Sequence, residues 1–168
     1  MKFDRFSDRR PLISLGEVGE WDRFNTCTDG APLLAGDQMR VYFNGAVFRH
    51  LKITGSSKYD GADTGPRIVR IGMGEWQPDR FACAVASFSG GTLETVPLET
   101  MAQAMYLNLD SAFGAVHMTF RGDGRSETVT IVQNGTSVRV PLPAFTREAP
   151  FSITFMLQNA RIYSFWAE

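Results

Sequence analysis

The sequence predicts an all-β protein built on an antiparallel β-sandwich of jelly-roll or lectin-like type. Three observations carry that prediction. Apolar residues recur at every second position in several separate windows, turn residues stand between neighbouring windows, and helical spacing is confined to one short stretch.

The first expected strands cover 31–34 and 39–44. In the second, Met39, Val41 and Phe43 alternate with Gln38, Arg40 and Tyr42, the pattern of a strand with one buried face. Residues 55–66 are polar and glycine-rich and read as a long exposed loop. Beyond it, Gly90-Gly91 separates 81–88 from 92–98, and both of these are expected to be strands. Residues 97–105 place Leu98, Met101, Ala102 and Met105 near helical spacing and predict a short helix. Val116, Met118 and Phe120 then alternate with His117, Thr119 and Arg121. Asp123-Gly124 and Asn134-Gly135 tolerate the positive φ of tight hairpins, so three consecutive antiparallel strands are expected over about 115–121, 126–133 and 136–141. Phe151, Ile153, Phe155 and Leu157 form another alternating run, and 161–166 is a β-rich closing strand. Without crossover helices there is no parallel sheet.

With 168 residues the chain is long enough for one good-sized domain or two small ones. A chain of this length buries roughly 70% of its unfolded surface, so stability requires neither a metal nor a disulfide, and no cofactor is expected. Lys and Arg number 17 against 18 for Asp and Glu, a formal charge of −1. No basic field attracts phosphate backbones, and nucleic acid is not an expected partner. The longest apolar run, 81–86, is far shorter than the ~20 residues of a spanning helix, so no membrane is expected. Charges at Lys2, Asp4, Arg5, Asp8, Arg9 and Arg10 interrupt any apolar stretch of an export signal. The expected location is the cytoplasm, or outside the cell if the chain is a piece of a longer secreted protein. Cys27 and Cys83 are expected to be unpaired thiols, with Cys83 a small core hydrophobe.

Few motifs carry chemistry. Asp63-Thr64-Gly65 spells the aspartic-protease tripeptide but lacks the hydrophobic strand that must lead into it. Asp60 and Asp63 could open a calcium loop, yet Ile71 stands where its bidentate Glu would fall. The soft ligands Cys27, His50, Cys83 and His117 are not paired at zinc spacing, so no metal site is expected. Neither a nucleophile elbow nor a phosphate-binding loop occurs. Arg121-Gly122-Asp123 and the sequon Asn134-Gly135-Thr136 are both explained by turns.

The first third is richer. Trp21, Asp22, Tyr42, Asn44 and His50 put an indole, a carboxylate, a phenol, an amide and an imidazole within thirty residues. Carbohydrate sites use such groups, because aromatic faces stack on the C–H side of a pyranose while carboxylates and amides take its hydroxyls. The same residues suit plain packing, with Trp21 in a core and Asp22 capping a turn.

Gly19-Glu20-Trp21-Asp22, Val41-Tyr42-Phe43-Asn44-Gly45 with His50, Ile71-Gly72-Met73, Asp79-Arg80-Phe81, Thr95-Val96-Pro97-Leu98, Leu107-Asn108-Leu109 and the run from Asn159 to Phe165 occur in that order. In this the chain resembles the C-terminal part of bacterial five-bladed β-propeller glycoside hydrolases of the fructosidase and arabinanase type, where the last blade leads into a β-sandwich. The resemblance spans nearly the whole chain. It implies that residues 1–75 correspond to a final blade with its long loop and 76–168 to the sandwich, the two packed as one compact unit. In such enzymes the catalytic carboxylates come from earlier blades, which have no counterpart here. By analogy Asn44 and His50 would line the edge of a sugar pocket, supported by Trp21 and Asp22.

The expected function is therefore a non-catalytic carbohydrate-binding or accessory module, partnered by a carbohydrate and by a second copy or an absent catalytic domain. One alternative is a small glycoside hydrolase using a pair among Asp22, Asp37, Asp60 and Asp63, whose carboxyl groups would stand ~5–5.5 or ~6.5–9.5 Å apart. The other is a purely structural or oligomerisation domain.

Overall fold

The computed structural model describes residues 11–28, 30–47 and 69–168. The chain divides into two compact units, Met1–Trp76 and Gln77–Glu168.

The first unit is one antiparallel sheet of β1 (Asn25–Thr28), β2 (Leu33–Ala35), β3 (Gln38–Ala46) and β4 (Val69–Trp76). β3 is central. β4 follows one of its sides from Met39 opposite Trp76 to Ala46 opposite Val69. β1 and β2 share the other side, facing 43–46 and 38–40. Neither β1 nor β4 was expected from the sequence, because glycines at 72 and 74 dilute the alternation of β4. The structure shows what they do: the ring of Phe43 lies over Gly72 and that of Trp76 over Gly74, where a Cβ would collide with them. Large rings thus cover both glycines, Phe43 from the neighbouring strand and Trp76 from two residues along β4 itself, and steady a glycine-bearing strand. Among the described residues of this unit only Val41 and Ala46 are buried apolar side chains.

The second unit is the sandwich. Its strands are β5 (Ala84–Ala86), β6 (Gly91–Glu94), β7 (Ala104–Asp110), β8 (Ala115–Gly122), β9 (Arg125–Ile131), β10 (Asn134–Pro141), β11 (Ser152–Gln158) and β12 (Ala160–Ala167), with a 3₁₀ turn at Ala144–Arg147. One sheet runs in the order β10-β7-β12-β5 and the other β6-β11-β8-β9, all pairs antiparallel. The alternation read from the sequence is the inner surface. Val116, Met118 and Phe120 of β8 and Phe151, Ile153, Phe155 and Leu157 beside or within β11 are all buried, and they meet Met105, Leu107, Leu109 and Ile162 of the facing sheet. Two ring pairs knit this core, Phe120 with Phe151 at 6.3 Å and Phe155 with Phe165 at 5.6 Å.

The helix expected over 97–105 does not form. Residues 97–103 are irregular apart from a bridge between Leu98 and Phe151, and Met105 belongs to β7. Met105, Leu107 and Leu109 satisfy a period of two as well as Met105 ends a helical one, and pairing with both β10 and β12 decides the matter. Cys83 is exposed rather than a core residue, since β5 starts only at Ala84. Asn134-Gly135 does not close a hairpin, because β9 and β10 lie in different sheets and the two residues begin β10, where a bulge follows before Val138.

Asp123-Gly124 does turn the β8–β9 hairpin, with φ of 50° and 69°. These signs at both central positions are those of a type I′ turn. Open space surrounds the Cα of Gly124, so Gly124→Ala incurs only the backbone cost of positive φ. Chemical denaturation should show a loss of about 1 kcal/mol.

No helix among the described residues is long and apolar enough to cross a membrane.

Candidate functional site

Within the first unit, the residues expected to bind sugar are divided between the two faces of β3. Trp21 stacks on Phe43, with ring centroids 5.9 Å apart and planes 17° from parallel. Asp22 lies against Gly45, where a Cβ would strike its backbone and side chain and the Trp21 indole. Phe43 and Gly45 share a face. Tyr42 and Asn44 alternate with them and project from the other. Tyr42 is half-exposed, while the Oδ1 of Asn44 is buried without a hydrogen-bond partner. Asp37 is exposed in the turn after Gly36 that joins β2 to β3. His50, Asp60, Asp63 and the loop 55–66 lie outside the described residues. The structure therefore joins Trp21 with Asp22, and Tyr42 with Asn44, but does not bring the two pairs together.

A denser arrangement occurs on the sandwich. Four connections pass from one sheet to the other at a single end: β5 to β6, β7 to β8, β9 to β10 and β11 to β12. Their turns are locked to one another by short side chains. Asn159, at φ 45° between β11 and β12, donates its backbone N–H to the Ser87 carbonyl at 2.9 Å and its Nδ2 to the Phe113 carbonyl at 2.7 Å. Gly114 sits so close to the carbonyls of Gln158 and Asn159 that no Cβ fits. Ser111, fully buried, donates its hydroxyl to the carbonyls of Ile131 and Gln133 at 3.0 and 3.1 Å, and its backbone N–H reaches Gln133 at 2.8 Å. Ser87 and Ser89 share a hydroxyl hydrogen bond at 2.8 Å across the first turn.

Two phenylalanines stand out from this fixed end. Phe88 is 71% exposed and Phe113 is 87% exposed. A ring on a turn tip gains nothing for the core, so its position calls for another account. Each ring borders a cleft. Phe113 flanks a hollow of about 430 Å³ that also holds Ser87, Asp110, Asn159 and Arg161. Phe88 flanks one of about 490 Å³ with Ser89, Thr92, His117, Met156 and Gln158.

Asp110, Arg161 and His117, three polar groups of these clefts, have partners that orient them. Asp110 and Arg161 are direct cross-strand partners on β7 and β12. Asp110 Oδ1 accepts from the Ala112 N–H at 3.3 Å. The Arg161 guanidinium is held above its ordinary pKa, chiefly by its hydrogen bond to Tyr163 and the charge there; burial opposes this, and Cys83 and Asp110 add lesser support. His117 Nδ1 is 2.9 Å from the Thr130 hydroxyl, which fixes its ring on the outer face of β8. Among the described residues no three of His, Cys, Asp and Glu stand close enough to share a metal ion.

Phe88 and Phe113 were not expected from the sequence to be functional residues. The signal was present, since both are aromatic residues set among small ones, in Ser87-Phe88-Ser89-Gly90-Gly91 and Asp110-Ser111-Ala112-Phe113-Gly114, where turns usually carry polar side chains. What could not be read was that turns so far apart in the chain meet at one end.

No family model, curated protein or solved structure matches this chain.

Proposed function

We propose that the protein is a non-catalytic recognition module whose sandwich binds carbohydrate at the end formed by the four sheet-crossing turns. The observation that carries the reading is the pair of solvent-facing rings, Phe88 and Phe113, mounted on turns that Asn159 and Ser111 hold rigid. A pyranose offers a C–H face to an aromatic ring and hydroxyls to the groups beside it. Asp110 and Arg161 in one cleft, and His117 and Gln158 in the other, supply acceptors and donors at that range. A fixed platform loses little conformational entropy on binding, which favours recognition by small contacts.

Binding without cleavage follows from the carboxylates. Asp110 is the single carboxylate among the described residues lining these two clefts, whereas glycosidic cleavage needs two. A third cleft, of about 420 Å³ and bounded by Glu99 and Glu148, has two. Both are exposed, and Glu148 is tied to Arg125 at 2.6 Å, so neither sits in the apolar pocket in which glycosidases place their general acid. The resemblance to the sandwich that follows a glycosidase propeller supports the same reading, with catalysis belonging to other parts of such enzymes.

Glycan-array screening of the purified chain, followed by calorimetric titration, tests this. Phe113→Ala should weaken binding at least tenfold, on the order of 1.4 kcal/mol, and leave the denaturation midpoint unchanged because the ring is exposed. A chain that binds no glycan, or a Phe113→Ala variant that binds like the parent, would refute the proposal. Release of reducing sugar that disappears in Glu148→Gln would establish the hydrolase instead.

A further inference from the structure

The two faces of the N-terminal sheet are unlike. One carries Val41 and Phe43 and is covered by Trp21. The other holds, in register across the strands, Leu33 with Arg40 and Glu75, Tyr42 with Met73, Asn44 with Ile71, and Ala46 with Val69. Apart from Ala46, which is buried, and the enclosed Oδ1 of Asn44, this face is open to solvent: Leu33 is 57% exposed, Tyr42 50%, Val69 58%, Ile71 79% and Met73 46%. Next to Leu33 and Tyr42 the surface dips into an apolar hollow of about 380 Å³.

Five such residues in one block present on the order of 500 Å² of apolar surface, the upper range of what a monomer normally leaves in water. Two of these faces closed on one another would bury about 1,000 Å², the lower bound of a specific protein interface. The polar content of the face narrows the choice of occupant. Its ion pair, Arg40 Nε to Glu75 Oε1 at 2.6 Å, sums to zero charge and offers no field to an acidic or basic partner. It is complementary to itself, since a two-fold axis through the apolar block brings the arginine of each copy towards the glutamate of the other. A flat row of aliphatic side chains with few donors also suits another flat sheet better than it suits a polyol.

We propose that this face is the contact surface for a second copy of the chain, in a two-fold dimer made by face-to-face packing of the N-terminal sheets. The inference is independent of sugar binding. Sedimentation velocity on the full chain, from roughly 1 to 100 µM, should show a concentration-dependent dimer, the range expected of an interface at the small end of the scale. Ile71→Asp, at the most exposed position of the block, should weaken the dimer at least ~100-fold, as an unpaired carboxylate does in an apolar contact. A parent chain that stays monomeric throughout, its face serving some other partner or none, would overturn the proposal, and so would an Ile71→Asp chain that dimerises like the parent. Should Ile71→Asp lose β-structure by circular dichroism, the charge pair decides. Arg40→Glu should weaken the dimer, and adding Glu75→Arg should restore it. An Arg40→Glu variant with unaltered association overturns the assignment.

Discussion

Phe120→Ala should lower the free energy of unfolding of the sandwich by about 3–5 kcal/mol, the range for deleting a ring from a closed core. Phe120 has no solvent exposure and lies on β8, between β11 and β9 in its own sheet and beneath the opposite one. Its neighbour across the strand is Ile153, also fully buried, and Phe151 meets its ring at 6.3 Å. Strands held by ladders on both sides cannot move inward to fill the gap, so the cost should lie toward the upper end of that range. Urea denaturation followed by the far-UV β signal measures it. Phe113→Ala, the same deletion at an 87% exposed ring, should stay within about 0.5 kcal/mol of the parent. A loss below about 1 kcal/mol at Phe120 would mean that the facing sheets are not close-packed around it.

Phe120 also marks the limit of what the sequence reveals. Where one face of a strand is buried and the other wet, as in β8 and β11, the period of two is written directly in the side chains, and both strands were legible. The Asp123-Gly124 hairpin was legible for a similar reason, because positive φ at two successive positions restricts the residue types. Legibility failed where local pattern permits two outcomes. Met105 completes a helical spacing and equally begins the alternation Met105, Leu107, Leu109, and only pairing with β10 and β12 selects the strand. It failed again at Asn134-Gly135, whose turn chemistry is real but whose flanking strands belong to different sheets. The candidate site was the least legible part. The cluster of polar and aromatic residues near the N-terminus was conspicuous because its members are close in sequence, yet alternation along β3 sends Tyr42 and Asn44 away from Trp21 and Asp22. Phe88, the neighbours Asp110 and Phe113, and the neighbours Asn159 and Arg161 come from three stretches far apart in sequence, and they reach one end of the sandwich only because four connections cross between the sheets there.

Arg80→Met should destabilise the sandwich by about 3 kcal/mol, although Arg80 is neither fully buried nor part of the apolar core. Its Nε donates to Asn108 Oδ1 at 2.9 Å, and one terminal nitrogen donates to the Leu109 carbonyl at 3.1 Å and to Asn134 Oδ1 at 2.8 Å. The guanidinium lies 4.7 Å over the Tyr163 ring. Asn108, 1% exposed, completes the arrangement by donating Nδ2 to the Pro78 carbonyl at 2.7 Å. One side chain thus fastens the segment entering β5 onto β7 and β10 and satisfies the Oδ1 of a buried amide. Methionine keeps much of the stem but supplies no donor, so that Oδ1 is left unpaired in a setting water does not reach. A stranded buried acceptor costs about 1–3 kcal/mol, and loss of the charge-assisted bonds and the ring contact adds to it. Arg80→Lys should recover less than half of the loss, because a single ammonium cannot reach two amide oxygens and a carbonyl in the directions the planar guanidinium serves. The decisive measurement is a double-mutant cycle with Asn108→Ala. Once the amide is gone, removing Arg80 should cost at least about 1 kcal/mol less than it does in the parent. Additive losses would show that Arg80 acts through its other contacts, with Leu109, Asn134 and Tyr163, and not through Asn108.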